Sequence, residues 1–206
     1  MAEAIQALVD TIRAHFQTCR SERRDVGAAL DHLRATIDAP SATESASAVP
    51  PANTAAARYL ASALAAGAAG PAGAIASAMA RARNELDWHY NYAPVPGQPD
   101  LPEKVAFCEI LGPQAGLRSD ATRLGFSLLG PGTHYPMHAH PAVELYYVIS
   151  GTARWITPFA AADRPPGAFI LHRASEPHAM ETAGEALLAL YSWSGDINSP
   201  SLYVKP

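Results

Sequence analysis

Two histidines and one glutamate lie at β-strand spacing in the segment from Gly132 to Gly151. In an extended chain successive side chains alternate between faces, so His138, His140 and Glu144 would point to the same side of a sheet. Two imidazoles and a carboxylate that converge form a site suited to a divalent transition metal ion. The segment therefore predicts a metal centre.

A fourth candidate ligand, His178, lies downstream in the run Ser-Glu-Pro-His-Ala-Met. A neighbouring strand could bring it to the same point and complete a shell of three histidines and one glutamate. Such ligands suit Zn, Fe or Mn, and ligand type does not choose among these ions. Four protein ligands leave room for water or a substrate carboxylate only if the ion is five- or six-coordinate.

Tyr146 follows Glu144 by two positions and shares its predicted face, so its phenol should lie beside the metal. A free tyrosine has a pKa near 10 and is a poor base at neutral pH. A nearby divalent cation favours the phenolate and lowers that pKa. Tyr146 is therefore a candidate catalytic residue.

The spacing of these residues matches the first signature of the cupin superfamily, in which two glycines enclose His-x-His and a glutamate. Every fixed position is met, by Gly132, His138, His140, Glu144 and Gly151. The second cupin signature is matched only by Gly167 and His178. Arg173, Ser175 and Thr182 replace its Pro, Gly and Asn. The resemblance implies a double-stranded β-helix, a jelly-roll barrel with the metal inside.

Within the cupins, the run Tyr-Pro-x-His-x-His-Pro-x2-Glu-x-Tyr from Tyr135 to Tyr146 resembles the bacterial dimethylsulfoniopropionate (DMSP) lyases. An alanine-rich helical half before a single C-terminal cupin is also similar to them. The resemblance implies a β-elimination to dimethyl sulfide and acrylate, with the substrate carboxylate on the metal and Tyr146, as a tyrosinate, removing the α-proton. Tyr135 would orient the substrate or assist proton transfer.

A sulfonium substrate is best held by aromatic faces, because the positive charge is attracted to their π-systems. The sequence offers five candidates in the barrel strands and at the junction with the helices. They are Trp155, Tyr191, Trp193, Trp88 and Tyr90.

Composition limits the functions that this chain of 206 residues can have. Its net charge is -4, and no run of basic residues is longer than the pair Arg23-Arg24. Nucleic-acid binding and polybasic membrane binding both need clustered cations, so neither is expected. Cys19 and Cys108 are expected to be free thiols in a cytoplasmic protein. The alanine-rich segment 54–80 contains Arg58 and Pro71, which favours a helical hairpin over a membrane span.

The pattern of apolar residues predicts a helical subdomain over residues 1–90, with a linker at about 39–52. Amphipathic spacing predicts helices at Ala4–Cys19 and Asp25–Ile37, a third from about Thr54, and a fourth that follows Pro71 and runs to about Leu86. Their apolar faces must bury against something. Covering the barrel, closing its mouth and forming a homodimer contact all remain open.

Residues 91–206 are predicted to form the barrel, because short β-rich runs there end at turn residues. The predicted strands are Lys104–Leu111, Arg123–Leu129, Glu144–Ile149, Ala153–Pro158, Ala168–Leu171 and Ala186–Ser192. Two other functions stay open for such a barrel. One is an Fe(II)- and O₂-dependent cupin dioxygenase, and the other is a non-catalytic cupin that binds a small molecule.

Overall fold

The computed structural model describes residues 2–37 and 54–204, so the predicted linker at 39–52 lies outside the described residues. Pro71 lies between the third and fourth helices, as predicted, but the fourth ends before Leu86. The helices are Ala2–Thr18 (α1), Arg24–Ile37 (α2), Thr54–Ala68 (α3), Gly73–Ala82 (α4) and Leu101–Lys104 (α5). None of these described helices is both long and apolar enough to cross a membrane.

Short strands follow the helices along the described chain. They are Val105–Leu111 (β1), Arg123–Leu129 (β2), His134–Ala139 (β3), Val143–Ser150 (β4), Ala153–Thr157 (β5), Ala160–Arg164 (β6), Phe169–His172 (β7), His178–Thr182 (β8), Leu187–Ser194 (β9) and Leu202–Tyr203 (β10). All six predicted strands are present, with ends displaced by a few residues. The list of predicted strands did not contain β3, β6, β8 or β10.

The strands form two antiparallel five-stranded sheets, with the orders β1-β2-β9-β4-β7 and β10-β3-β8-β5-β6. Side chains from both sheets share one buried cluster, which includes Tyr146 and Tyr191 from the first sheet and Tyr135 and Trp155 from the second. The two sheets therefore enclose a common interior. The structure confirms the predicted cupin-type barrel with a helical N-terminal part.

One expectation about the histidine-rich segment is corrected by the topology. The sequence predicts an extended segment from Gly132 to Gly151, with its ligands on one side of a sheet. It forms β3 and β4 instead, and these strands belong to different sheets. His140 lies in the turn that connects these two strands. The predicted ligands thus face one another across the barrel interior.

The helices cover the outer face of the sheet that contains β4. Strand β4 shows why, since Glu144 and Tyr146 face the interior while Tyr147 and Ile149 belong to the buried cluster formed with the helices. In that cluster Phe16 of α1 packs edge-on against Tyr147, with ring centroids 5.4 Å apart. Because both faces of this sheet are buried, its strands are apolar at nearly every position.

Candidate metal centre

The four predicted ligands come from both walls of the barrel. His138 in β3 and His178 in β8 are direct cross-strand neighbours in one sheet. Glu144 lies in β4 of the opposite sheet, and His140 lies in the turn that connects them. Each of the four residues is at most 3% exposed. The candidate site is therefore buried between the sheets.

Three of these side chains converge on one point. The Nε2 atom of His140 lies 2.8 Å from Oε2 of Glu144, and Nε2 of His178 lies 3.2 Å from the same oxygen. The three potential ligand atoms all lie within 4.8 Å of one another. Within the described part of the chain, this is the group whose geometry suits a metal ion.

The other ring nitrogen of each histidine is fixed by a backbone carbonyl. Nδ1 of His140 lies 3.1 Å from the carbonyl oxygen of Ala142, and Nδ1 of His178 lies 2.9 Å from that of Glu176. Since a carbonyl only accepts, each Nδ1 must carry the hydrogen. In the neutral ring the lone pair is then on Nε2, which faces Glu144. Such orientation by an outer hydrogen bond is typical of metal-binding histidines.

In the neutral rings, Nε2 of His140 and Nε2 of His178 are both acceptors that face Oε2 of Glu144. A cation between these three atoms would satisfy them. A single proton can bridge His140 and Glu144, whereas the buried Nε2 of His178, 3.2 Å from the same oxygen, is left without a well-aligned hydrogen bond. A metal ion would bind all three. The donor set of two imidazoles and a carboxylate therefore fits a divalent transition metal.

The charges of Glu144 and the neighbouring histidines stabilise each other. Burial disfavours the carboxylate of Glu144, but His140 and His178 hold its pKa well below the usual range. Burial also opposes a charge on His140, yet Glu144 outweighs it and raises the pKa of that imidazole. The carboxylate thus stays ionised in the interior, as a metal ligand must be.

His138 lies beside this group and is not part of it. Its Nδ1 also donates to a backbone carbonyl, that of Pro136, at 2.8 Å. Because it is the direct neighbour of His178, its ring packs edge-on against that histidine with centroids 4.1 Å apart. Burial, followed by the neighbouring His178, lowers the pKa of His138 well below its ordinary value. The structure therefore brings together three of the four predicted ligands.

Tyr146 and Tyr135 both line the cavity that leads to this site. Burial raises the pKa of Tyr146 well above its ordinary value, and the negative charge of Glu144 raises it further. Tyr135 reaches the interior because a bulge interrupts β3 between it and His138, so both side chains face inward despite their odd spacing. Its hydroxyl donates to the hydroxyl of Tyr92 at 2.5 Å.

The cavity has a volume of about 810 Å³, and two of the five predicted aromatic residues, Tyr191 and Trp193, line it. The structure does not place the other three there. Trp88 is buried among the helices, Tyr90 pairs its hydroxyl with Tyr203 at 2.8 Å, and Trp155 packs behind Tyr146 at 4.6 Å between ring centroids.

Sequence reasoning missed several residues at the cavity. Tyr92 and Phe107 contribute aromatic faces to its wall. Phe107 lies two positions after Val105 in β1 and shares its inward face, which the period of two could have indicated. His172 of β7 is buried and stacks on His178, with ring centroids 3.9 Å apart. No sequence signal indicated that contact, because it depends on strand pairing.

A comparison with known families decides where this chain belongs. The family model for DMSP lyases matches residues 28–189. The chain belongs to the DMSP lyase family. Its helical layer and its candidate metal centre are therefore features of a member of that family.

Two curated members of this family are similar in sequence. A putative DMSP lyase, DddL, from Cereibacter sphaeroides is 36% identical over 148 residues, which cover 70% of this chain and 62% of that protein. The DMSP lyase DddQ from Ruegeria pomeroyi is 27% identical over 134 residues, covering 65% of this chain and 67% of that protein. The match thus spans less than two thirds of the DddL protein.

Solved structures support the fold. The crystal structure of DMSP lyase DddQ from Ruegeria pomeroyi DSS-3 superposes with a TM-score of 0.79 at 22% identity, covering 99% of this chain and 98% of that one. A chain from the crystal structures of the DMSP lyases RdDddP and RnDddQII gives 0.78 at 22% identity, with 98% of both chains covered. The helical layer and the barrel are therefore shared as one arrangement.

Proposed function

We propose that this protein is a metal-dependent lyase that cleaves DMSP into dimethyl sulfide and acrylate. The observation that carries the proposal is the convergence of His140 and Glu144, which line the cavity with Tyr146, with the buried His178 beside them. Membership of the DMSP lyase family, and relatives that are named as DMSP lyases, support the choice of substrate. The reaction is an elimination and requires no oxidant.

His140, Glu144 and His178 would hold the ion. A bound divalent ion supplies positive charge that stabilises the substrate carboxylate and favours the phenolate of a neighbouring tyrosine. That charge matters here because burial alone pushes the pKa of Tyr146 in the opposite direction. Zn, Fe and Mn all suit this donor set.

Tyr146 is the proposed base, because it lines the cavity and lies beside Glu144, one of the residues that would hold the ion. Its phenolate oxygen takes the proton from the carbon next to the substrate carboxylate. The electron pair of that C–H bond forms the new carbon–carbon double bond, and the C–S bond breaks. Dimethyl sulfide leaves with the electron pair of the broken bond, and acrylate remains. The tyrosine is left neutral and must return its proton to solvent.

The sulfonium group of DMSP fits an aromatic wall that the structure provides next to the site. Tyr92, Phe107 and Tyr135 line the cavity together. The ring centroids are 5.7 Å apart for Tyr92 and Tyr135, 5.7 Å for Phe107 and Tyr135, and 5.9 Å for Tyr92 and Phe107. Aromatic faces attract cations without requiring a buried counter-charge. Tyr135 would thus orient the substrate beside Tyr146.

The decisive experiment measures dimethyl sulfide in the headspace above purified protein and DMSP under nitrogen. Parallel samples contain Mn(II), Fe(II), Zn(II) or a chelator. We expect release that depends on metal and not on oxygen, because elimination consumes no oxidant. Release only with Fe(II) and air would indicate a dioxygenase instead. If no dimethyl sulfide is released with any of the metals, the result would indicate a binding protein.

A further inference from the structure

Four interior side chains form one row across the sheet β1-β2-β9-β4-β7. Arg123 in β2 is paired with Trp193 in β9, Trp193 with Glu144 in β4, and Glu144 with His172 in β7. Neighbouring strands lie about 4.8 Å apart, so each member of the row can contact the next. The ligand Glu144 is thus linked through neighbouring side chains to Arg123, two strands away.

Trp193 binds one of the two carboxylate oxygens of Glu144. Its indole Nε1 donates to Oε1 of Glu144 at 2.8 Å. The other oxygen, Oε2, is the one that faces His140 and His178. The Trp193 ring also stacks on His140, with centroids 4.1 Å apart and planes 26° apart. One tryptophan therefore touches two of the three ligands and leaves a single carboxylate oxygen facing the centre.

Arg123 lies over the tryptophan, with its guanidinium carbon 5.4 Å from the ring centroid. Its Nε lies 3.6 Å from Oε2 of Glu109, whose other oxygen accepts a hydrogen bond from the backbone of Gln114 at 3.0 Å. Arg123, Glu109 and Gln114 all line the cavity. The loop between β1 and β2 is thus connected to the metal centre by a chain of contacts through Arg123 and Trp193.

We propose that Arg123 is a positioning residue that holds the Trp193 indole against Glu144 and so sets the carboxylate oxygen that binds the metal. It acts through Trp193 and does not contact the ion. A cation over an indole face is the most favourable of the cation–π pairs. Arginine suits this position because its planar guanidinium can stack while it keeps a charged contact with Glu109.

The test is metal affinity of the full-length chain, stripped with chelator and titrated with Co(II) alone. Trp193→Phe keeps a stacking ring but loses the donor to Glu144, and should weaken Co(II) binding about 10- to 100-fold, the usual cost of an outer-sphere partner. Arg123→Met keeps the aliphatic bulk and loses the charge, and should weaken it about 2- to 10-fold. The Co(II) visible spectrum should shift in both variants, because the ligand geometry changes.

The double variant separates this mechanism from simple loss of packing. If Arg123 acts through Trp193, adding Arg123→Met to Trp193→Phe should cost less than it costs alone. Arg154→Met is the matched control, since Arg154 is an exposed arginine on β5 that pairs with Asp163 at 3.7 Å. It should leave Co(II) affinity and spectrum unchanged. Should Arg123→Met not fold, Arg123→Gln, which also removes the charge, replaces it and is judged by the same criteria.

Three results would overturn the proposal. These are a Co(II) affinity for Arg123→Met equal to that of Arg154→Met, full additivity in the double variant, and a rise in KM for DMSP with no change in metal affinity. The last would make Arg123 a substrate contact. The use of DMSP rests on the proposed function, whereas the Co(II) titration does not. A wild-type protein that releases no dimethyl sulfide would therefore refute only the function.

Discussion

The two ring nitrogens of a histidine differ in chemistry, and local backbone carbonyls decide which one faces this site. Each of the three carbonyls lies two residues from its histidine: Pro136 for His138, Ala142 for His140 and Glu176 for His178. The tautomers are thus set by short-range structure. Only the convergence of the Nε2 atoms requires the complete barrel.

The structure predicts unequal roles for the two histidines of the His-x-His pair. His140→Ala removes a member of the converging group. Loss of an outer-sphere contact lowers metal affinity about 10- to 100-fold, and His140→Ala should lower it further. His138→Ala should fall within that range, because His138 packs on His178 from the side. Metal content after dialysis measures both. His134→Ala is the control, since His134 is exposed and pairs with Glu181.

Equal metal loss in the His138 and His140 variants would contradict this distinction. It would restore the four-ligand shell that the sequence predicted. Such a result would require His138 to turn from its present contact when the ion binds.

The two tyrosines can be separated by kinetics. Tyr146→Phe should lower kcat for DMSP cleavage by about 10²- to 10⁴-fold, the usual contribution of a general base, while metal content stays intact. Tyr135→Phe should mainly raise KM, because it loses only the hydroxyl that bonds to Tyr92. Initial rates of dimethyl sulfide release measure both. The reverse pattern would assign the base to Tyr135 and remove Tyr146 from the proton transfer.

The spacing predicted His140, Glu144 and His178 as ligands, and the structure brings these three side chains together. The spacing did not indicate the contacts that Trp193 and His172 make with them. Both depend on which strands are neighbours, a long-range property that short sequence patterns do not contain. The inward face of Tyr135 similarly requires a bulge that alternation does not predict.

Strand β2 requires a glycine at Gly125, where it packs between β1 and the Tyr191 side chain of β9. A Cβ on Gly125 would meet the carbonyl oxygen of Cys108 on β1 and would lie 2.6 Å from the Tyr191 hydroxyl on β9. Gly125→Ala should therefore lower the free energy of unfolding by about 1–3 kcal/mol, the usual cost of overpacking. Urea unfolding measures the change.

Gly27→Ala provides a control of opposite sign. Gly27 lies in helix α2, and an added Cβ there meets nothing within 4 Å. Alanine is favoured over glycine in a helix by about 1 kcal/mol, so this variant should be more stable than wild type. A Gly125→Ala protein as stable as Gly27→Ala would show that β2 can shift away from its neighbours.

The strands that the sequence predicted differ in amino-acid composition from those that it did not predict. Strands β1, β2, β4 and β9 were found because they are rich in apolar and aromatic residues. Strand β6 reads Ala-Ala-Ala-Asp-Arg and is mostly exposed, so neither propensity nor burial marks it. Strand β10 has two residues and exists because it pairs with β3 at Ala139 and His138.

For the molecule as a whole, the helices and the barrel meet on one face of one sheet. The amphipathic pattern of α1 required a partner surface, and the outward residues of β4 and β9 supply it. The sequence could not identify that surface, because a strand buried on both faces is apolar throughout and lacks the alternation that would distinguish its two faces. The burial shows that the helices act as a covering layer for the sheet that carries Glu144.

Metal binding should stabilise this assembly, since the two sheets are joined at the centre by His178 on one side and Glu144 on the other. A ligand present at a hundred times its Kd adds about 2.7 kcal/mol to the free energy of unfolding. In a chain of this length that corresponds to a rise in Tm of about 5–10 °C. Thermal unfolding of chelated protein, with and without Mn(II) or Zn(II), measures it.

Two controls identify the source of that rise. Glu144→Gln should abolish it, because the amide replaces the only carboxylate among the three converging residues. Glu181→Gln, at an exposed position on β8, should leave it unchanged. Mg(II) should produce a much smaller rise, because it prefers oxygen ligands to imidazoles. An equal rise with Glu144→Gln would place the ion elsewhere, and the sheets would then be held together by packing alone.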